Sequence, residues 1–294
     1  MKKKQIFKAK SRQSKEHKMS EEIVNDEIFI DTLEKREKTF EFLSRLFRVE
    51  ADQDLLDNML KMKFPAKSEN KDVEKGYSLI RKFLRTVDAN SLTDLAIDYV
   101  RTFIGSGNDG FSAAYPFESV YTSPKRLMMQ DSRDEVLVIY HAAGLEKQES
   151  WKEGEDHIAL EFEFIAILTK RAIKAYKDGD EERCAYLMLQ QKNFIEDHIK
   201  PWFPMMAEDM RKFSNTDFYT GLAYLTEGVI KQDYEFLDEL IEDDGEEAEG
   251  GKVVHMEVDI SPIELDIPTK QDVQDALDEA EAAEKEKEKE AVSA

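Results

Sequence analysis

Cysteine is almost absent from this sequence, since Cys184 is the only one among 294 residues. A single cysteine excludes an intrachain disulfide and the paired-cysteine zinc motifs, and it fits a reducing compartment, so a cytoplasmic location is expected. The sequence also lacks any run of about 18 uncharged apolar residues, so stable insertion into a membrane is not expected. These absences leave a helical or mixed globular domain as the class to examine.

Positive charge is scarce as well, because 42 Lys and Arg stand against 64 Asp and Glu, for a formal net charge of −22. Residues 1–18 hold eight Lys and Arg against one Glu, whereas residues 241–294 hold nineteen Asp and Glu against five Lys. The basic start resembles the first part of a signal peptide, but no apolar stretch follows it, so no secretion signal is expected. An acidic body repels polyphosphate and anionic lipid and attracts a cationic peptide, so nucleic acid is not an expected partner.

Apolar residues recur at helical spacing along most of the chain. Leu33, Phe40, Leu43 and Phe47 define one apolar face, as the spacing of a buried helix requires. Similar patterns predict helices around residues 55–60, 73–84, 91–103, 136–143, 156–176, 180–199, 202–210 and 217–240, ending at glycine or before proline. No alternating strand pattern occurs between residues 20 and 240, so the predicted class is all-α with nine or ten helices.

Composition divides the chain into three parts. Residues 1–28 are predicted to form a basic, flexible arm, and residues 29–241 an all-helical domain. Glycines and prolines interrupt that domain over residues 105–124, which predicts a hinge-like loop. The acidic residues 242–294 are predicted to be mostly disordered, with a possible charged helix near residues 271–290.

Asp156 and His157, with Glu161 one helical turn further on, form the most suggestive polar group in the sequence. An acid beside an imidazole favours its charged form, which suits acid–base catalysis. The same residues at the start of a helix also suit a cap and a buried hydrogen bond. Both interpretations remain open on the residues alone.

Other chemical sites are poorly supported. No His has a Glu three positions before it, and the HExxH motif is absent, so neither a di-iron nor a zinc site is predicted. The glycine-rich segment 105–112 carries Phe111 where a phosphate-binding loop needs lysine. No serine-hydrolase elbow occurs either. We therefore expect no metal and no cofactor.

Aromatic and methionine side chains gather beside the prolines. The set comprises Tyr115, Phe117, Tyr121, Trp151, Trp202, Phe203, Met205 and Met206. Such residues dominate helical cores, but they also line adaptable grooves for apolar peptide segments.

Three ordered segments resemble the TorD/DmsD family of redox-enzyme maturation chaperones. Residues 98–105 are similar to the family's Tyr-x-Arg-Leu-Phe-x-Gly, with Thr102 in place of leucine. Residues 115–121 are similar to Pro-Tyr-Glu-Ser-Val-Tyr. Residues 153–158 are similar to Glu-x-Pro-Asp-His-Ile, with Glu155 in place of proline, which predicts a less rigid entry into the helix.

The resemblance implies an all-helical chaperone without enzyme activity, present as a monomer or a domain-swapped dimer. Its implied partners are a twin-arginine signal peptide and the apo form of a molybdopterin oxidoreductase, with proteins of molybdenum-cofactor biosynthesis as a further implied partner. The residues implied to line or brace the client groove are Tyr99, Arg101, Phe103, Tyr121, Glu153, Asp156 and His157. Asp156 and nearby acids are expected to face the paired arginines.

Two alternatives stay open at this stage. One is a helical interaction adaptor without preference for signal peptides, and the other is an enzyme that uses Asp156 and His157 as an acid–base pair. A separate hypothesis places the acidic tail, or its apolar patch at residues 253–260, in the groove when no client is bound.

Overall fold

A computed structural model describes residues 15–105 and 112–241, with side chains described from residue 26 onward. The prediction of an all-α protein is confirmed, because these residues contain ten α-helices. They are α1 (Lys15–Arg48), α2 (Gln53–Lys61), α3 (Lys71–Leu84), α4 (Ser91–Tyr99), α5 (Glu118–Thr122), α6 (Asp131–Ala142), α7 (Ile158–Lys177), α8 (Glu181–Phe194), α9 (Phe203–Phe213) and α10 (Asp217–Leu240). Single π-helical turns extend α4 over Val100–Ile104 and α8 over Ile195–Ile199.

The two most extensive helix packings are α1 against α7 and α3 against α10. The predicted face of α1 is confirmed, since Leu33, Phe40, Leu43 and Phe47 are all buried. Each such side chain contributes about 1.5–3 kcal/mol by leaving water. Among the described helices, none is long and apolar enough to cross a membrane.

Glycine allows α3 and α10 to approach each other closely. A Cβ atom added to Gly76 would lie 2.6 Å from the backbone nitrogen of Leu225, and one added to Gly228 would lie 2.7 Å from Val73. Because atoms at that distance clash, only glycine permits this crossing.

Helix ends follow the capping chemistry of the sequence. Asp180 accepts a hydrogen bond of 2.9 Å from the amide of Arg183 and so caps α8 as predicted. Gly144 and Gly179 follow α6 and α7 with φ of 68° and 82°, the left-handed conformation that ends a helix. Ser91 begins α4, but its hydroxyl contacts Asp88 on its N-terminal side rather than Asp94.

The structure differs from the expected boundaries in two places. Helix α1 begins at Lys15, so the second half of the expected arm, residues 1–28, is helical. The expected hinge, residues 105–124, contains the buried helix α5. Residues 1–14, 106–111 and 242–294 lie outside the described residues, and so do the proposed tail helix and apolar patch.

Candidate functional site

Two of the segments singled out in the sequence are hydrogen-bonded to each other. Phe117 and His157 form an isolated antiparallel β-bridge. The amide of Glu118 donates to the carbonyl of Asp156 at 3.0 Å, and the amide of Ile158 donates to the carbonyl of Pro116 at 3.0 Å. Residues 115–121 and 153–158 therefore form one structural unit, which we call the paired segments.

Asp156 is fully buried within this unit, with an exposed fraction of 0%. Its Oδ2 atom accepts a hydrogen bond of 2.9 Å from the amide of Ser119. Burial raises its pKa, although the hydrogen bond from Ser119 opposes that shift. A Cβ atom at Gly154 would lie 2.7 Å from Oδ1 of Asp156, so the chain needs glycine there. Asp156 thus fixes the backbone of the paired segments from inside.

His157 caps helix α7. Its Nδ1 atom accepts a hydrogen bond of 3.1 Å from the amide of Ala159. The rings of Phe117 and Trp151 meet its ring edge to face, at centroid distances of 5.0 and 5.1 Å. Burial, followed by the charge of Arg48, lowers the pKa of His157 to about 3. The imidazole is therefore neutral near pH 7 and acts as a cap.

Trp151 connects this buried histidine to the protein surface. The guanidinium of Arg48 lies 5.1 Å from the centre of the Trp151 ring, and Arg48 is also ion-paired with Glu163. Arg48 and Glu163, together with Arg45 and Lys170, line a pocket of about 290 Å³ between α1 and α7. Ala166 and Ile167 add apolar side chains to this lining.

Two further buried carboxyl groups belong to this region, Glu118 within the paired segments and Glu161 on α7. Glu118 contacts Nδ1 of His198 at 3.2 Å, and the π-helical turn at Ile195–Ile199 carries that histidine. Burial raises the pKa of Glu118, and burial followed by the charges of Glu118 and Asp156 raises the pKa of Glu161 well above its usual range. Among the described residues no group of acids, histidines and cysteines has the geometry of a metal site.

Glu155 occupies the position where the family signature has proline. It is buried and forms ion pairs with Arg133 at 2.5 Å and Lys147 at 3.0 Å. Burial opposes ionisation, but the hydrogen bonds from Arg133 and Lys147 lower the pKa of Glu155. Tyr140 also donates to the carbonyl of Glu155 at 3.3 Å. These contacts fix the backbone just before α7, which a proline ring would otherwise restrict.

The segment 98–105 adjoins the paired segments. The carbonyl of Thr102 accepts a hydrogen bond of 2.7 Å from the amide of Ala114. Asp98 accepts hydrogen bonds of 2.8 Å from the amides of both Asn215 and Thr216, at the start of α10. These contacts fix residues 98–105 to Ala114, which directly precedes the paired segments, and to the start of α10.

Tyr99 and Phe103 belong to an aromatic cluster of this segment. Their ring centroids are 5.0 Å apart, and Phe103 meets Tyr219 at 5.5 Å. The Tyr99 hydroxyl donates to the carbonyl of Phe47 at 3.2 Å. Burial, followed by the charge of Glu153, raises the pKa of Tyr99 to about 12.

Tyr121 lies on the other side of the paired segments. Its ring stacks on Trp202 at 5.6 Å, and its hydroxyl donates to Asp209 at 3.2 Å. The guanidinium of Arg126 covers the outer face of the Tyr121 ring at 4.6 Å and pairs with Asp209 at 2.8 Å. Tyr121 therefore joins α5 to α9.

The expected client-binding residues fall into two groups. Phe103, Tyr121, Asp156 and His157 are buried. Arg101 and Glu153 are exposed and Tyr99 is half-buried. The buried group braces the site rather than lining an open groove, and in the described structure Asp156 has no exposed surface to offer a peptide.

Sequence reasoning missed the residues that hold the unit together over long range. The amide of Ser119 binds Asp156, and the carboxyl group of Glu118 binds His198. Each contact joins residues far apart in the sequence, so no local spacing predicts it. The contact between Arg48, on α1, and Trp151 also joins distant parts of the chain, so no local pattern predicts it. The only available signal was the repeated co-occurrence of acids and aromatics in the two segments.

A family model described as the nitrate reductase delta subunit matches residues 66–208. A protein named chaperone protein TorD, from the El Tor Inaba strain of Vibrio cholerae serotype O1, is 28% identical over 71% of this chain and 95% of its own length. The same-named protein from a Classical Ogawa strain is 31% identical over 56% of this chain and 76% of its own length.

A third TorD chaperone, from Vibrio parahaemolyticus, is 25% identical over 69% of this chain and 95% of its own length. The chain therefore belongs to the TorD family of chaperones. This membership confirms the resemblance inferred from the three segments, and it confirms a chaperone rather than an enzyme.

Proposed function

We propose that this protein is a cytoplasmic chaperone for a molybdopterin-dependent oxidoreductase. It binds the twin-arginine signal peptide and the apo form of that enzyme, so that the cofactor is inserted before export. Membership of the TorD family supports the chaperone role. The acidic composition of the chain, with a net charge of −22, suits a cationic signal peptide.

The observation that carries this proposal is the joining of residues 115–121 and 153–158 by the Phe117–His157 bridge. A site built from distant segments that are locked together presents a rigid surface, and a rigid surface binds a flexible peptide with less loss of conformational freedom on the protein side. Within this unit Asp156 and His157 brace the backbone. Exposed Glu153 is then the acid available to the paired arginines.

Calorimetric titration with a synthetic twin-arginine signal peptide tests the proposal. We expect a Kd of about 1 µM or lower, which weakens with added salt and with replacement of both arginines by lysine. Lysine keeps the charge but loses the two-point geometry of the guanidinium, so the Lys-Lys peptide is a charge-matched control. Absence of binding to signal peptides of this class would contradict the proposal.

The contribution of Glu153 is tested separately. Glu153→Gln removes the charge and preserves the shape, and it is expected to weaken peptide binding by about tenfold, the effect of losing one charge-assisted hydrogen bond. Glu239→Gln, at another exposed acid near the end of α10, is the matched control and should bind like the wild type. Equal affinity for both variants would exclude Glu153 from the site.

A further inference from the structure

The loop between α5 and α6 exposes three consecutive large apolar side chains. Leu127, Met128 and Met129 are 44%, 50% and 57% exposed. Single exposed apolar residues are common, but contiguous ones mark interaction sites. Met205 on α9 is also 42% exposed and lies one helical turn before Asp209, the partner of Arg126 in this loop. We call Leu127, Met128, Met129 and Met205 the methionine surface.

The loop is held in an unfavourable backbone conformation. Arg126 and Met129 have φ of 50° and 60°, and neither is glycine. A residue of this kind costs on the order of 1–3 kcal/mol in the left-handed region and persists only where its surroundings fix it. Strain of this kind clusters at binding and catalytic sites.

Side-chain hydrogen bonds supply that fixation. The hydroxyl of Ser123 accepts from the amide of Leu127 at 3.1 Å. The side-chain amide of Gln130 donates to the carbonyls of Met128 and Met129 at 2.8 and 3.1 Å. The apolar side chains are therefore presented by a fixed loop.

The methionine surface borders the paired segments. The amide of Gln130 donates to the hydroxyl of Ser119 at 3.2 Å, and Ser119 is the residue whose own amide binds Asp156. The methyl carbon of Met129 lies 3.7 Å from the position of a Cβ atom on Gly154. An occupant of this surface would therefore reach the paired segments directly.

Acids lie at the edge of the same surface. Asp131 and Asp134 begin α6 directly after the loop, Glu153 precedes Gly154, and all three acids are exposed. Asp134 is ion-paired with Arg133 at 2.9 Å, so Asp131 and Glu153 contribute most to the negative charge of this edge. An apolar patch with acids along one edge is complementary to a peptide whose apolar stretch adjoins cationic residues. Flexible thioether side chains adapt to apolar sequences that differ in detail.

We propose that the methionine surface binds the apolar stretch of the client's signal peptide, while Asp131, Asp134 and Glu153 face its cationic end. The identity of this partner rests on the proposed function. The location of the contact rests on the exposure, strain and anchoring of the loop. Selection of different clients with unlike apolar stretches then follows from the adaptability of methionine.

The test compares two variants of the full chain by fluorescence anisotropy of a labelled twin-arginine signal peptide. Met128→Gln/Met129→Asn replaces two apolar side chains by polar ones, and asparagine tolerates the left-handed conformation of position 129. Val138→Thr is the matched control, because Val138 is 68% exposed on α6. We expect the double variant to bind about tenfold or more weakly and the control to bind like the wild type.

A crosslinking measurement on the wild-type chain gives a second test that does not depend on whether the double variant folds. A signal peptide with a photoreactive leucine in its apolar stretch should label residues 127–129 of the wild-type chain. Equal affinity of the double variant, or labelling only elsewhere, would overturn the inference and leave the proposed function standing. If instead the wild-type protein fails to bind the peptide at all, the proposed function fails. Sedimentation covers one further outcome. If the wild type is a dimer and the double variant is a monomer with unchanged peptide affinity, the surface binds a second copy of the chain, and the inference is also overturned.

Discussion

The carboxylate of Asp156 accepts a hydrogen bond of 2.9 Å from the backbone amide of Ser119, 37 residues away in the sequence. This contact and the Phe117–His157 bridge join two segments that the sequence presents separately. Because Asp156 is wholly buried, it positions the backbone in the described structure, and the proposed charged contact with a client is assigned to exposed Glu153 instead.

Removing the carboxylate should destabilise the protein. Asp156→Ala leaves the amide of Ser119 buried without its acceptor, which costs about 1–3 kcal/mol. Asp156→Asn keeps a side-chain oxygen in place and should cost less. Urea denaturation of both variants measures the difference. An alanine variant as stable as the wild type would show that the hydrogen bond does not hold the segments together.

The same pair of variants separates bracing from direct contact. If Asp156 only braces the site, Asp156→Asn binds a twin-arginine peptide with the same salt dependence as the wild type. A shallower salt dependence in the Asn variant would instead place the carboxylate against the arginines, as the resemblance to the family implied.

The stability of the protein should depend on keeping or removing Arg36 and Asp233 together. Their buried, two-point ion pair, with distances of 2.5 and 2.8 Å, joins α1 to α10. Arg36→Met leaves a buried carboxylate alone and should cost about 3–5 kcal/mol, whereas Arg36→Met/Asp233→Leu should recover most of that loss. A double-mutant cycle measured by urea denaturation tests this. Equal stability of the single and the double variant would exclude the mechanism.

Gly76 should tolerate no side chain. Gly76→Ala places a methyl group 2.6 Å from the backbone nitrogen of Leu225, so α3 and α10 must separate. The expected cost is about 1–3 kcal/mol, as for other overpacked cores. Ser78→Ala, on the exposed side of the same helix, is the control and should be neutral. Thermal unfolding of the two variants is the measurement. Destabilisation of Gly76→Ala alone indicates a steric clash, whereas equal destabilisation of both variants would show that α3 is sensitive to any substitution.

Glu161 should make the protein less stable as the pH rises. Its pKa is 4.5 in the unfolded chain and well above that in the folded protein, chiefly because of burial. Above pH 4.5 the folded state therefore binds more protons than the unfolded state, and its stability is lost as the pH rises through the folded value. Glu161→Gln cannot ionise and should show a smaller loss.

Urea denaturation from about pH 5 to about pH 8 measures this effect. Glu208→Gln, at an exposed acid on α9, is the control and should follow the wild type. His157 acts with the opposite sign, because its pKa falls from 6.5 to about 3 on folding. Its contribution is complete above pH 6.5 and is lost as the pH falls toward 3, so it does not explain a loss at high pH. Identical pH profiles for Glu161→Gln and the wild type would contradict the account.

Much of the fold was predictable because local chemistry marks it. Leu33 and Phe40 lie on the predicted buried face of α1, and Asp180 and Gly179 mark helix ends where the sequence places them. Helix α5 was missed because five residues are too few for a helical period to emerge. The start of α1 at Lys15 was not predicted, because the basic composition of residues 1–28 indicates a flexible arm.

The site was only partly predictable for a different reason. The sequence supplied Asp156 and His157 as candidates, but their burial depends on Ser119, Phe117 and Trp151, which come from other segments. Of the methionine surface, the sequence analysis singled out Met205, whereas Met128 and Met129 are indistinguishable from core residues in a sequence. Their exposure follows from the left-handed turn at Met129, which no residue type announces.

Hydrogen exchange of the full chain, measured with and without a saturating twin-arginine signal peptide, tests the central claim most directly. The account predicts that backbone amides at residues 123–130 and 149–155 exchange more slowly with peptide bound, while α2 and α3 are unchanged. Protection confined to α2 and α3, or no protection despite saturation, would contradict a client site beside the paired segments.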